Sequence, residues 1–339
     1  MKTIRWGIIG CGDVTEIKSG PGLYKATHSQ LLAVMRRNGA LAADYAHRHG
    51  VPRWHDDAEA IIRAPDIDAI YVATVPGAHR DYVLRCAAAG KPVLVEKPMA
   101  LDHDQCQEMI GACRTVGVPL WVAYYRRALP RFIAVRDLVR QNAIGPVRMV
   151  TSRQFLPLKP QAELNPRSPP WRVEPEMSGG GLFVDMASHT LDFLDFVFGP
   201  IEAVRAFADN QAGAYGADDI VTASYRFASG VLGSGAWCYA ADREEEYNEI
   251  VGANGRILFS TTKAVPIRVL RGDSAEEIPV EDPPHVHQPL IQTIVDELNG
   301  QGQSPSTGES AARTTWVIDQ ILREYRAGSG YRGATGGQA

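Results

Sequence analysis

The feature that most constrains the fold lies at the start of the chain. A largely apolar run over Ile4–Ile9 enters Gly10-Cys11-Gly12-Asp13-Val14-Thr15 directly. A lone pair of glycines is weak evidence, but a strand immediately before it strengthens the signal. The first glycine permits a tight turn, and the second lets the main chain approach a pyrophosphate. The N–H groups of the helix start then face the anion. This is most of a GxGxxG fingerprint, with Thr15 where the third glycine or alanine would stand. The departure implies a looser helix–strand contact and leaves phosphate binding intact. Ser19-Gly20-Pro21-Gly22 stops the first helix well short of a normal crossover. That leaves a loop at the phosphate end that can wall a site.

Strands and helices alternate from there. The second strand ends in Arg36-Arg37-Asn38. A carboxylate at this place would accept a bond from the 2′-hydroxyl of NAD, whereas an arginine pair attracts the 2′-phosphate of NADP. The plain alternative is two solvated arginines. Helices follow over 40–49 and 56–63, with a strand-like 52–54 between them, and 68–74 is a further buried strand. It ends in Val75-Pro76-Gly77-Ala78-His79, so Thr74, Pro76 and His79 are candidates to touch a cofactor, although a histidine at a helix start is commonly only a cap. Val93-Leu94-Val95 reads as a strand buried on both faces, and Glu96-Lys97-Pro98 ends it, because proline cannot continue a ladder. Two charges therefore stand at a strand's carboxyl end, the edge where open α/β sheets bind ligands. A helix over 102–115 and a strand over 120–124 complete a doubly wound parallel sheet.

After Tyr124 the pattern changes. Tyr125-Arg126-Arg127-Ala128-Leu129-Pro130 opens a helix, a strand follows near 147–156, and the proline-rich stretch 157–176 has no periodicity. Long irregular loops inside compact domains are usually functional, and Trp171 and Arg172 stand out in this one. Ser178-Gly179-Gly180-Gly181 then precedes a helix that ends at Gly199-Pro200. On it Asp185, His189 and Asp192 recur at i, i+4 and i+7, with Ser188 beside them, while every other face is apolar. The short polar set fits a cleft better than a solvated stripe. It also fits a histidine merely satisfied by its acidic neighbours, and no third ligand accompanies it to suggest a metal. Successive strands over 201–280, with turn signals at Gly230, Asn254-Gly255 and Gly272-Asp273, imply a largely antiparallel sheet. Helices over Gln288–Leu298 and 308–325 close the fold. The divisions expected are a Rossmann domain over 1–124, a substrate-binding and oligomerisation domain over 125–327, and a glycine-rich tail over 328–339 that packs little.

Composition removes several classes. A formal charge of −4 over 339 residues gives no electrostatic footprint for nucleic acid, and no apolar run approaches a bilayer's thickness. The chain enters strand-like sequence at once, without a signal peptide. Its five cysteines are scattered, with no CxxC pair and no metal spacing. A soluble cytoplasmic protein without a metal is the expectation.

Gly10-Cys11-Gly12, Glu96-Lys97-Pro98, Tyr125-Arg126-Arg127 with Pro130, and Gly179-Gly180-Gly181 followed by Asp185 and His189 resemble the glucose–fructose oxidoreductase / inositol dehydrogenase (Gfo/Idh/MocA) family, over all but the tail. The resemblance implies a Rossmann domain followed by a domain with a mostly antiparallel open sheet, in homo-oligomers joined through that sheet. It implies oxidation or reduction of secondary alcohols or carbonyls of sugars, cyclitols and related polyols. It implies that Lys97 and His189 are catalytic, that Asp185 assists, and that the Lys97–Pro98 bond is cis. Thr15 and Arg36 are the departures, and the second favours NADP(H) over NAD(H).

The candidate cofactor contacts are Gly10, Cys11, Gly12, Asp13, Val14, Arg36, Arg37, Thr74, Pro76, His79, Glu96 and Lys97. The substrate contacts are Lys97, Arg126, Trp171, Arg172, Asp185 and His189. Lys97 as ammonium would polarise a carbonyl oxygen, and either it or His189 would exchange the proton. Glu96 anchors the strand end. Two alternatives remain open: a non-catalytic dinucleotide-binding sensor, which needs neither Lys97 nor His189, and an NAD-dependent glycosidase, against which the arginine pair speaks.

Overall fold

The structure, a computed structural model, describes residues 1–158 and 170–328. Most of the irregular stretch expected over 157–176, and the expected tail beyond Gly328, lie outside the described residues.

The chain forms two compact units. The first comprises Met1–Ala100, Asp104–Leu129 and Pro283–Ala312. Its sheet holds β1 (Ile4–Ile9), β2 (Ser29–Met35), β3 (Arg53–His55), β4 (Ala69–Val72), β5 (Val93–Val95) and β6 (Leu120–Val122) in the order β3-β2-β1-β4-β5-β6. Every pairing is parallel. Strand order reverses beside β1, so the connections leave β1 and β4 in opposite directions, and the crevice in which such sheets bind ligands lies outside their carboxyl ends.

Helices cover both faces: α1 (Asp13–Ile17), α2 (Gly22–Lys25), α3 (Gly39–His49), α4 (Glu59–Ile62), α5 (His79–Ala88) and α6 (His103–Val116). Neighbouring strand residues point to opposite faces. Ile9, Val72, Val95 and Val122 pack with Val83, Cys86, Met109 and Cys113. Ile8, Tyr71, Leu94 and Trp121 pack with Leu23, Tyr45 and four residues from far along the chain, Leu290, Ile291, Ile294 and Val295.

Those four belong to a segment that sequence reading placed in the second domain. The chain returns after residue 282. Ser306 exchanges hydrogen bonds with the Val122 main chain (2.7 and 3.2 Å), and Glu297 accepts from the Trp121 indole N–H at 3.0 Å. Each fully buried aliphatic side chain contributes about 1.5–3 kcal/mol, so the four amount to roughly 6–12 kcal/mol, comparable with a domain's whole net stability. An amphipathic pattern announces that a helix will be covered, and does not name the surface that covers it.

The second unit comprises Leu101–His103, Pro130–Asp282 and the C-terminal part from Arg313. Its strands are β7 (Val147–Pro157), β8 (Ile201–Asp209), β9 (Ile220–Phe227), β10 (Leu232–Ala241), β11 (Glu245–Gly252), β12 (Arg256–Phe259), β13 (Ile267–Arg271) and β14 (Ser274–Ile278). They lie in the order β14-β13-β12-β11-β7-β10-β9-β8. The sheet is antiparallel except where β7 meets β10. Its helices are α7 (Pro130–Arg140), the single turn α8 (Pro175–Ser178) and α9 (Leu182–Phe198), while α10 (Gln288–Leu298) is the helix donated to the first unit and α11 (Gly308–Gly328) ends the description. The described part of the expected loop is thus partly ordered, with a 3-10 turn over Trp171–Val173 ahead of α8, which Pro175 opens.

Aromatic rings lock α9 to one sheet face: Phe183 meets Trp237 at 5.1 Å, Phe193 meets Phe259 at 5.4 Å and Phe198 meets Phe227 at 5.2 Å. The opposite face is open. It holds a recess of about 590 Å³ lined by Arg153, Arg205, Phe207, Thr222, Ser224 and Tyr247 among others, and Phe207 is 81% exposed.

Candidate active site

In the first unit the glycine turn is built as its sequence suggests. Gly10 has φ +93°, and a Cβ there would lie 2.7 Å from Thr74 Cγ2 and 3.0 Å from the Ala73 main chain, so only glycine fits. The Gly10 and Cys11 N–H groups both donate to the Met35 carbonyl, which ties the turn to β2. A Cβ on Gly12 would meet nothing nearer than 3.9 Å, so this stretch of main chain is open to a ligand.

The looser contact expected at the third fingerprint position is not what forms. Thr15 is fully buried, its hydroxyl accepts from the Gly12 N–H at 3.0 Å and donates to the Gly12 carbonyl at 2.7 Å, and Tyr45 donates to its carbonyl at 2.8 Å. A side chain stitches the loop where a glycine would only have made room. Cys11 is buried, and burial pushes its thiol up to about 11, so it contributes shape and main chain and no nucleophile. Asp13 is exposed and Val14 half-buried. Arg36 and Arg37 are both exposed at the end of β2, and the Arg36 charge reaches the Cys11 thiol.

At the next strand end the cofactor candidates separate. Pro76 is buried and starts a 3-10 turn, and the Thr74 carbonyl accepts from His79 Nε2 at 2.9 Å. His79 Nδ1 faces the Pro98 and Met99 carbonyls at 3.1 and 3.3 Å, and the ring is fully enclosed. Burial lowers its pKa. It therefore ties two strand ends together and turns no surface outward to a cofactor.

Beyond β5 the Lys97–Pro98 bond is cis and Lys97 is half-buried. Glu96 is 6% exposed. Its Oε1 accepts from the Tyr71 hydroxyl and from His287 Nε2 (3.1 Å), and its Oε2 from the Lys97 main-chain N–H (3.1 Å). Burial pushes this carboxyl up, but His287, Tyr71 and the Lys97 charge hold it below the usual carboxylate range. Arg126 is buried, with its guanidinium 4.8 Å over the Tyr125 ring, which itself lies 4.3 Å from the His287 ring.

In the second unit the glycine run threads a narrow passage. A Cβ on Gly179 (φ +82°) would sit 2.8 Å from the Leu101 carbonyl oxygen, and one on Gly181 2.8 Å from that of Asp218. Arg326 donates to the Gly179 carbonyl at 2.6 Å and pairs with Asp319 at 2.7 Å, fixing where α9 begins.

From there the polar stripe divides. Asp185 is half-buried and accepts from Arg172 Nε at 3.2 Å, and the Arg172 guanidinium lies 4.4 Å over the Trp171 ring. These three candidates meet, and His189, 8% exposed, lies one turn further on. Asp192 does not join them. It is fully buried and accepts from Thr314 on α11 at 3.3 Å, and the next acid, Asp195, pairs with Arg313 at 2.6 Å. Buried acids must find donors, and for Asp192 and Asp195 α11 supplies them. Beneath the site lie residues that sequence reading missed. Tyr239 is fully buried and donates to Gln154 at 3.0 Å, and burial pushes Asp218 up to about 6. Gln154 and Tyr239 lie on strands, whose alternation hides which inward residue is near a site, and Asp218 stands in the connection ahead of β9.

A family model described as "Oxidoreductase family, NAD-binding Rossmann fold" matches residues 4–124, and one described as "GFO/IDH/MocA C-terminal domain" matches residues 132–258. The chain belongs to the Gfo/Idh/MocA family. It is 37% identical over 322 residues to "Oxidoreductase P35" of Formosa agariphila, covering 93% of this chain and 97% of that one. It is 30% identical over 310 residues to a 1,5-anhydro-D-fructose reductase of Ensifer adhaerens, covering 90% and 91%. The solved aldose–aldose oxidoreductase of Caulobacter crescentus superposes with a TM-score of 0.84 at 25% identity, over 96% of this chain and 98% of that one.

This Gfo/Idh/MocA protein is an NAD(P)-dependent oxidoreductase. Its own residues fit a dinucleotide. The Gly10 turn clears the strand end, the Gly12 main chain is open, and cationic Arg36 stands beside the loop. Among the described residues no helix is long and apolar enough to cross a membrane.

Proposed function

We propose that this protein interconverts a carbonyl and a secondary alcohol on a sugar, cyclitol or related polyol, and that it draws on NADP(H) in preference to NAD(H). The observation that carries the reaction is Lys97 at the carboxyl end of β5, next to an ionised, enclosed Glu96. The similarity to a 1,5-anhydro-D-fructose reductase supports the substrate class. Arg36 supports the cofactor preference, as an exposed cation beside the glycine turn where a NAD-preferring fold carries an acid.

When bound, the nicotinamide supplies or accepts hydride at carbon. Lys97 as ammonium polarises the carbonyl oxygen and stabilises the alkoxide that develops on reduction. Either His189 or Lys97 gives that oxygen its proton and takes one back on oxidation. Asp185 orients His189 or a neighbouring substrate hydroxyl. Trp171 and Arg172, stacked and joined to Asp185, are the further substrate contacts, while Arg126, buried against the Tyr125 ring, contributes charge more than surface. The five cysteines are all free, which fits a reducing cytoplasm, and the working form is a homo-oligomer joined through the open sheet face.

Lys97→Ala should abolish turnover of NADPH against a panel of ketoses, aldoses and cyclitols while NADPH still binds by fluorescence titration. Near-normal turnover in that variant would sink the assignment.

A further inference from the structure

The polar cluster under β5 holds more than a strand terminus needs. Replacing a buried ionic group by packed apolar residues is often neutral or stabilising, so stability alone does not call for one here. Yet Glu96 keeps its charge, and its hydrogen-bond partners come from separate places: Tyr71 on β4, the main chain of Lys97, and His287, 191 positions away.

His287 is held firmly. Its N–H donates to the Lys18 carbonyl at 3.1 Å, its carbonyl accepts from Ile291 inside α10, and the adjoining His285 bonds the Ile17 carbonyl at 2.7 Å. The ring is 2% exposed and stacked against Tyr125. An ionised carboxylate only accepts, so Nε2 carries the proton in this bond. Nδ1 has no hydrogen-bond partner among the described residues, which leaves Glu96 as the group this side chain serves.

We propose that His287 is a positioning residue for Lys97, acting through Glu96: its ring pins the carboxylate beneath the Lys97 amide, so the end of β5 presents its ammonium in a fixed place beside a fixed negative charge. This rests on Lys97 as the reacting group. The other titratable groups bearing on Glu96 are Tyr71, with Tyr45 behind it, His79 and Lys97 itself. All of them remain in the His287 variants below.

Lys97 chemistry reads this without a substrate. Reductive methylation by formaldehyde and borohydride consumes the neutral amine, and peptide mass spectrometry follows Lys97 alone, with K97R identifying the peptide. In the full-length protein His287→Phe keeps a ring against Tyr125 and removes the donor. At fixed pH it should raise the Lys97 methylation rate roughly tenfold, the effect of weakening one nearby charge. His287→Gln, whose amide N–H replaces Nε2–H, should stay near the wild-type rate. Glu96→Gln should accelerate Lys97 by a similar factor, and the double variant E96Q/H287F should go no further, as for two residues acting in one chain. Wild-type reactivity in H287F, equal acceleration in H287Q and H287F, or multiplying effects in the double variant would each overturn the proposal. If H287F does not fold, His287→Asn, too short to reach Glu96, is read by the same criteria. Because reactivity and turnover are separate readouts, this test and the Lys97→Ala test fail independently.

Discussion

Arg36 stands where a carboxylate would accept a bond from a ribose 2′-hydroxyl, and its guanidinium cannot accept one. A charge-assisted bond to phosphate is worth about 1.5–3 kcal/mol, so Arg36→Ala should weaken NADPH by roughly ten- to a hundredfold and NADH hardly at all. Equal losses for both in a fluorescence titration would refute the phosphate role. At this scale the local main-chain geometry is legible in the sequence where a residue contradicts its surroundings. Glu96 and Lys97 break an apolar strand, and Gly10 can turn where no other residue can. Sequence reading failed where the decisive partner is remote. His79 looks like a helix-start histidine with a ring to offer, but three carbonyls from two strand ends enclose it. Nothing near His287 announces that it bonds Glu96.

On α9 the i, i+4, i+7 pattern groups residues whose partners differ. The N-terminal half carries Asp185 and His189, and the C-terminal half fastens the helix to α11 through Asp192 and Asp195. The division depends on where α11 lies, which a local pattern does not encode. The helix start is equally dependent on its setting, for Gly181 passes against the main chain of Asp218, a residue pushed up to about 6 by burial. An unfolded aspartate ionises near about 3.9. Folding therefore favours its protonated form: the junction carries no electrostatic cost below about pH 4, loses stability as the pH rises through about 6, and bears the whole cost above that. Asp218→Asn should accordingly raise stability by roughly 1–3 kcal/mol at pH 8 and leave it nearly unchanged at pH 4. Urea midpoints at the two pH values measure this, and the same gain at both would contradict the assignment. The glycine turn shows the converse error, since Thr15 departs from the fingerprint yet tightens the loop through its hydroxyl.

Across the molecule, the succession of strands after residue 200 made the antiparallel sheet legible, because each turn signal separates adjacent partners. The open face of that sheet exposes Phe207 almost completely, at the edge of the recess it helps line. If this face joins copies of the chain, Phe207→Asp should shift the assembly to monomers in light scattering at micromolar concentration while the melting temperature of the monomer stays close to wild type. An unchanged mass would remove the sheet from the interface. The division of the chain was the least legible feature, since Pro283–Ala312 returns to complete the first unit. That return has a consequence for synthesis. A ribosome adding roughly 5–20 residues per second needs on the order of 10–30 s between releasing β6 and releasing α10. Throughout that interval the nascent dinucleotide-binding unit exposes the sheet face that Leu290, Ile291, Ile294 and Val295 later cover, with the Glu96 carboxylate lacking His287. The enzyme is therefore kept from completing its cofactor half before Pro283–Ala312 has emerged, and the waiting sheet is the surface a nascent-chain chaperone would hold.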